Sequence, residues 1–220
     1  MERWVLLRKG ADFEAIGKKY QISPRLACLI RNRDVIGEEA VDRYLNGTIS
    51  DLYDGMLMKD MDKAIDILKE KILEDKKIRV IGDYDIDGVN ATYILLEGLE
   101  RLGADVDSDI PDRISDGYGL NRHLVERAYE AGVDTLITCD NGIAAADEIA
   151  YGKEMGMTVI VTDHHEVPFD EHDGEKRYRI PPADAVMDPK QPDCLYPFKG
   201  LCGAAVAYKM MEALWESMGK

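Results

Sequence analysis

The chain has 220 residues, 45% hydrophobic and 32% charged, a balance that fits one substantial globular core. It has no run of about 18 apolar residues, which excludes a membrane-spanning helix, and the opening MERWVLLRKGADFE turns charged too soon for a signal peptide. A net charge of −15 speaks against broad contact with phosphates and leaves two uses for the acids: solubility, or a site whose cations reverse the local sign.

Residues 1–75 read as a helical region. ADFEAIGKKY and SPRLACLIRNR place apolar residues at helical spacing, with Ser23 as a predicted N-cap and Pro24 at the first helical position. GEEAVDRYL is a third short helix, stopped by Asn46-Gly47. DMDKAIDILKEKILEDKK is strongly amphipathic, with Met61, Ala64, Ile65, Leu68 and Ile72 on one face.

From residue 76 to 220 the rhythm changes. Short apolar runs appear at IRVIGD, ADVDSDI, DTLITCD, MTVIVTD and ADAVMD, with helical stretches between most of them. That alternation predicts βαβ units: an α/β fold with a parallel five-stranded sheet flanked by helices. The connecting helices VNATYILLEGLERLG, NRHLVERAYEAG and AAADEIAYGKEMG each end in glycine. EVPFDEHDGEKRYRIPP reads as an exposed loop, and GAAVAYKMMEALWESMG as a closing helix. Cys28, Cys139, Cys194 and Cys202 are scattered without a CxxC pair, as expected of reduced thiols in a cytoplasmic protein.

Three predicted strands end in acid: GDYDIDG with Asp83, Asp85 and Asp87, CDNG with Asp140, and TDHH with Asp163, His164 and His165. An open parallel sheet gathers ligands outside the carboxyl ends of its strands, so these groups should converge. Packed carboxylates need a compensating cation, and oxygen ligands with one or two imidazoles suit Mn²⁺ or Mg²⁺. A pair of ions bridged by Asp140, which lies on a strand between the others, would serve phosphoryl chemistry. Each piece alone has a plainer reading. DxD after a strand is often a cap, DNG is a turn signal, and Asp163 could cap or orient a histidine.

GDYDIDGVNAT, IPDRISDGYGL, CDNGI, TDHHEVP and DPKQPDCLYPFKGLCGAAVAYK occur in this order over residues 78–210. In this the chain resembles the DHH phosphoesterase superfamily, and within it the RecJ family of single-strand-specific exonucleases. The helical lead-in, through ISPRLACLIRNRDV and LYDGMLMKDMDKAI, is similar to that family's amino-terminal region. The resemblance implies a Mn²⁺- or Mg²⁺-dependent 5′-to-3′ exonuclease on single-stranded DNA, acting in repair and recombination as a monomer. A single-strand-binding protein and a helicase are the implied partners. Asp85 and Asp87 would each lean toward one ion, Asp140 would bridge, His164 would ligate and His165 would contact phosphate or water. Some superfamily members place a histidine four residues before the first aspartate of the pair. Ile81 stands there in this sequence, so either the first ion lacks that ligand or Asp83 takes its place. The family continues into a fourth acidic motif and a DHH-associated domain, beyond Lys220. On that ground a truncated catalytic portion with little activity of its own is expected.

The alternatives within the superfamily are phosphodiesterases of nanoRNA or cyclic dinucleotides and, more remotely, pyrophosphate hydrolysis. A non-catalytic replication scaffold is the rival from another class. Arg113 and Tyr118, in RISDGYGLN, are candidates to pair with phosphate and stack on a base; a tight turn into the next helix is the plainer reading. Gly203 opens a helix whose N–H groups could face a phosphate or pack closely on the sheet. His123 and His172 are read as surface residues, Trp4 and Trp215 as packing residues.

Overall fold

A computed structural model describes residues 4–5, 9–114, 117 and 119–220. Tyr118, one of the candidate site residues, lies outside the described residues. The chain divides into two compact units, Met1–Leu52 and Tyr53–Lys220.

Among its described residues the first unit holds three α-helices, α1 (Phe13–Tyr20), α2 (Pro24–Asn32) and α3 (Glu38–Asn46), and a short 3-10 turn at Ile49–Asp51. Ser23 caps α2, its hydroxyl accepting from the Leu26 N–H at 3.2 Å, and Pro24 takes the first turn. Trp4 is 94% exposed and does not pack as expected.

In the second unit a 3-10 turn at Gly55–Leu57 leads into α4 (Met61–Leu73). All five residues of its expected apolar face are buried in a core cluster with sheet residues. The sequence boundary at 75/76 follows the change of rhythm; compact packing divides the chain at 52/53, because α4 buries its stripe with the α/β unit. After it come β1 (Ile78–Ile81), α5 (Ile86–Arg101), β2 (Val106–Asp109), α6 (Arg122–Glu130), β3 (Thr135–Cys139), α7 (Ala146–Glu154) and β4 (Thr158–Thr162). β5 (Phe169–His172), β6 (Glu175–Tyr178), β7 (Ala185–Met187) and α8 (Gly203–Ser217) complete it.

Five strands form one parallel sheet in the order β2-β1-β3-β4-β7. Alternate side chains feed two cores. Ile78, Val80, Ile137 and Ile160 join the cluster with α4, α5 and α8, while Ile81, Leu136, Val159 and Val161 join the one with α6 and α7. Trp215 packs against the first cluster and its indole N–H donates to the Gly98 carbonyl at 3.1 Å. The chain leaves β1 toward β2 on one side, and β3 lies on the other. That reversal of strand order opens a crevice at the carboxyl ends of β1 and β3.

One expectation fails locally. The stretch read as a loop contains an antiparallel hairpin, with Phe169 opposite Tyr178 and His172 opposite Glu175. Its strands are exposed, so no burial pattern marks them. The signal present was Asp173-Gly174, whose φ values of 54° and 80° suit a two-residue hairpin turn.

Candidate metal centre

Beyond Ile81, β1 runs through Gly82 into Asp83, which is fully buried with neither carboxylate oxygen hydrogen-bonded among the described residues. Such a group is costly unless a proton or a cation joins it. Ile81 itself points into the core. Asp85 caps α5, one oxygen accepting from the N–H groups of Asp87 and Gly88, both at 2.9 Å. Asp87, in the first turn of α5, reaches the start of α8: its two oxygens accept from Gly203 N–H at 2.6 Å and Ala204 N–H at 2.8 Å. Burial pushes the Asp87 carboxyl up, but these two bonds outweigh it and hold the group below its usual range.

Asp140 follows β3 with left-handed backbone, φ 60°, and is 1% exposed. Its Oδ1 lies 2.8 Å from His164 Nε2, and Asp87 Oδ2 lies 3.5 Å from the same nitrogen. Burial, then the charges of Asp87 and Asp85, push the Asp140 carboxyl up to about 7. A site that raises a carboxyl this far favours a proton or a metal ion on it.

Asp163 ends β4 and acts inward. Its Oδ2 accepts from the Ile143 N–H at 2.9 Å. Its Oδ1 receives the N–H groups of His164 and His165 at 2.7 and 3.2 Å and sits 2.7 Å from His165 Nδ1. Burial opposes its ionisation, but the bonds from His165 and Ile143 prevail and keep it anionic. The same contact raises His165 against its burial, while burial and the neighbouring His165 lower His164. Asp163 therefore orients the histidine pair, the plainer of its two readings. His165 faces Asp163 through Nδ1, which fixes the orientation of its ring.

Among the described residues two groups of ligand atoms form, each mutually within 4.8 Å: Asp83, Asp85 and Asp140, and Asp140, His164 and His165. Asp140 belongs to both. Asp87 stands outside them, held by α8. Gly203 is where it is because a Cβ there would come 2.8 Å from the Asp140 carboxylate, and its N–H serves Asp87. Arg113 is exposed, with its guanidinium 5.3 Å from the Tyr84 ring centre. His123 and His172 are exposed. A cleft of about 290 Å³ opens beside His165, lined by Leu120, Asn141, Ile143, Ala144 and Glu148.

One residue escaped sequence reasoning. Asp188 follows β7, is fully buried and has one oxygen without a hydrogen-bond donor among the described residues. Burial pushes its carboxyl up to about 7 against the Lys190 N–H bond, and Asp163 adds to the rise. The signal was there: ADAVMD also ends in acid, as the three counted strands do.

The profile described as "DHH family, N-terminal domain" matches residues 77–220. The chain belongs to the DHH family. The single-stranded-DNA-specific exonuclease RecJ of Bacillus subtilis is 40% identical over 213 residues, covering 96% of this chain and 26% of that protein. RecJ of Escherichia coli is 31% identical over 97% of this chain and 35% of its own length. The chain thus spans about a quarter to a third of these curated relatives. Among solved structures, RecJ of Thermus thermophilus in complex with Mn²⁺ superposes with a TM-score of 0.65 at 31% identity, over 99% of this chain and 29% of that one. An exonuclease RecJ bound to manganese gives 0.63 at 37% identity, over 74% of this chain and 39% of that one. The DHH unit is therefore the α/β fold expected from the strand rhythm, with its acids at the strand ends.

Proposed function

We propose that this chain carries the hydrolytic centre of a divalent-cation-dependent exonuclease on single-stranded DNA. The observation that supports it most is Asp140, one buried carboxylate common to two ligand groups. The donor set fits hard or borderline cations: carboxylates and imidazole, with no thiolate among them, and Asp83 buried without a donor among the described residues. Asp83, Asp85 and Asp140 would hold one ion, and Asp140 with His164 the second. Two Mn²⁺ or Mg²⁺ ions held there would supply the Lewis acidity that phosphodiester hydrolysis needs.

The chain's own groups do the rest. Asp87, kept anionic by α8, sets the field on the Asp140–His164 pair. His165, fixed by Asp163 and 45% exposed at its side chain, presents a readily charged imidazole to a phosphate at the rim. The adjoining cleft has room for part of a nucleotide. Arg113 and Tyr118 remain proposals as contacts to phosphate and base. The 5′-to-3′ direction, the repair role, a single-strand-binding protein and a helicase as partners, and the monomeric state rest on family resemblance. The free cysteines accord with a cytoplasmic setting.

The test is Mn²⁺ titration by calorimetry, paired with hydrolysis of 5′-labelled single strands, duplexes and dinucleotides. Mn²⁺ binding and weak single-strand turnover are expected, with Mn²⁺ affinity and the residual turnover both reduced at least about 100-fold by Asp140→Asn. Unchanged turnover in that variant would refute the assignment. Preference for dinucleotides would move the chain to the small-substrate branch of the superfamily.

A further inference from the structure

Residues 13–32 form a helix–turn–helix that includes none of the metal-centre residues. α1 takes eight residues, the turn takes positions 21–23 and α2 takes nine. Each junction position has the residue that its geometry demands. Gly17 is buried, and a Cβ there would come 2.8 Å from the Ile22 carbonyl oxygen, so the turn folds back directly onto α1. Gln21 adopts left-handed backbone, φ 54°, and its N–H returns to the Gly17 carbonyl. Ser23 then caps α2, and Pro24 starts it.

α2 has two distinct sides. Ala27 and Ile30 are buried. Arg25, Leu26, Leu29 and Arg33 are exposed, and among the described residues neither Arg25 nor Arg33 is ion-paired. The stretch 23–33 contains three arginines and no carboxylate. This matters because the chain's acidity is uneven. Residues 1–52 carry nine Lys/Arg and eight Asp/Glu, whereas residues 53–220 carry nineteen and thirty-five. The repulsion of phosphate that the net charge implies therefore resides in the second unit and not around α2.

A helix–turn–helix commonly lays its second helix in the major groove, with the residues near its start at base edges. Arginine suits guanine edges and phosphates, and apolar side chains suit thymine methyls. We propose that α2 is a duplex-DNA contact helix, with Arg25 toward base edges, Leu26 and Leu29 toward the groove floor, and Arg33 on phosphate. The inference builds on a nucleic-acid substrate but not on the metal centre. A nuclease of single strands meets duplex wherever a tail joins a paired region, and this helix would favour such junctions.

Fluorescence anisotropy of the 220-residue chain with a labelled duplex, in EDTA at low salt, tests it. Saturable binding is expected, weakening as salt rises. The double variant Arg25→Ala, Arg33→Ala should bind the duplex at least about 10-fold more weakly, with a salt slope shallower by about two. Arg25→Lys with Arg33→Lys should regain phosphate binding, which guards against mere misfolding. No duplex binding by the native chain, or an unaltered double variant, overturns the proposal. Equal losses on duplex and single strand also overturn it, since α2 would then be a general polyanion contact. The double variant should keep its Mn²⁺ affinity, whereas Asp140→Asn should keep its duplex affinity, so failure of one reading is separable from failure of the other.

Discussion

At the edge of the sheet where the strands begin, Asp134 meets Lys71 at 2.7 Å and Asp184 meets Lys153 at 2.6 Å. Where the strands end, Asp83 and Asp188 have oxygens without a donor among the described residues, and Asp140 faces an imidazole. The residue type is the same at both edges, and its partners differ. At the first edge both of these acids are neutralised and serve the fold. At the second, burial and mutual repulsion raise Asp140 and Asp188 to about 7, an arrangement that stabilises nothing until a proton or cation arrives. Asp109 marks the limit of the rule. It ends β2, yet Arg127 holds it at 2.7 Å, so an acid at a strand end is not by itself a site residue.

Four substitutions sharpen this contrast or break it. Asp163→Asn should be the most damaging to stability, by about 3 kcal/mol in urea unfolding. One carboxylate there accepts from Ile143, His164 and His165, and an amide cannot accept through both arms. A negligible change would mean that Asp163 does not organise the pair.

Asp140→Asn should do the opposite when cations are chelated. An unfolded aspartate releases its proton near 3.8, while the folded Asp140 keeps it up to about 7. Between those values the folded state holds the extra proton, so stability falls as pH rises through that window. Asp188 contributes a slope of the same sign. The variant should therefore be more stable than the native chain at about pH 8, by on the order of 2 kcal/mol, and nearly equal at about pH 4. A loss at both values would place Asp140 with the structural acids.

Gly203→Ala should weaken Mn²⁺ binding by about 10-fold in calorimetry, because the added methyl presses on the Asp140 carboxylate. Smallest of all, Asp184→Asn should cost about 1 kcal/mol through its contacts with Lys153 and the Val159 N–H, and leave Mn²⁺ affinity alone.

Much of this edge was legible in the sequence, for reasons that differ by element. The central strands β3 and β4 are buried on both faces, so their apolar runs stand out; the β5–β6 hairpin is exposed and shows no such pattern. Parallel topology brings strand ends together, and from that alone Asp83, Asp85, Asp87, Asp140, Asp163, His164 and His165 are expected to converge; Asp140 is the residue common to the two ligand groups that form among the described residues. Topology could not foresee that the start of α8 would claim Asp87, since that contact spans more than a hundred residues and depends on how α8 seats. Asp188 was overlooked because β7 is only three residues long and its acid precedes a proline, which reads as a turn.

Anomalous diffraction from crystals soaked in Mn²⁺, recorded at the manganese edge, addresses the shared carboxylate most directly. Two peaks with Asp140 between them, one toward Asp83 and Asp85 and the other toward His164, are the expected result. A single peak away from Asp140, or none at saturating Mn²⁺, would contradict a centre built around that residue.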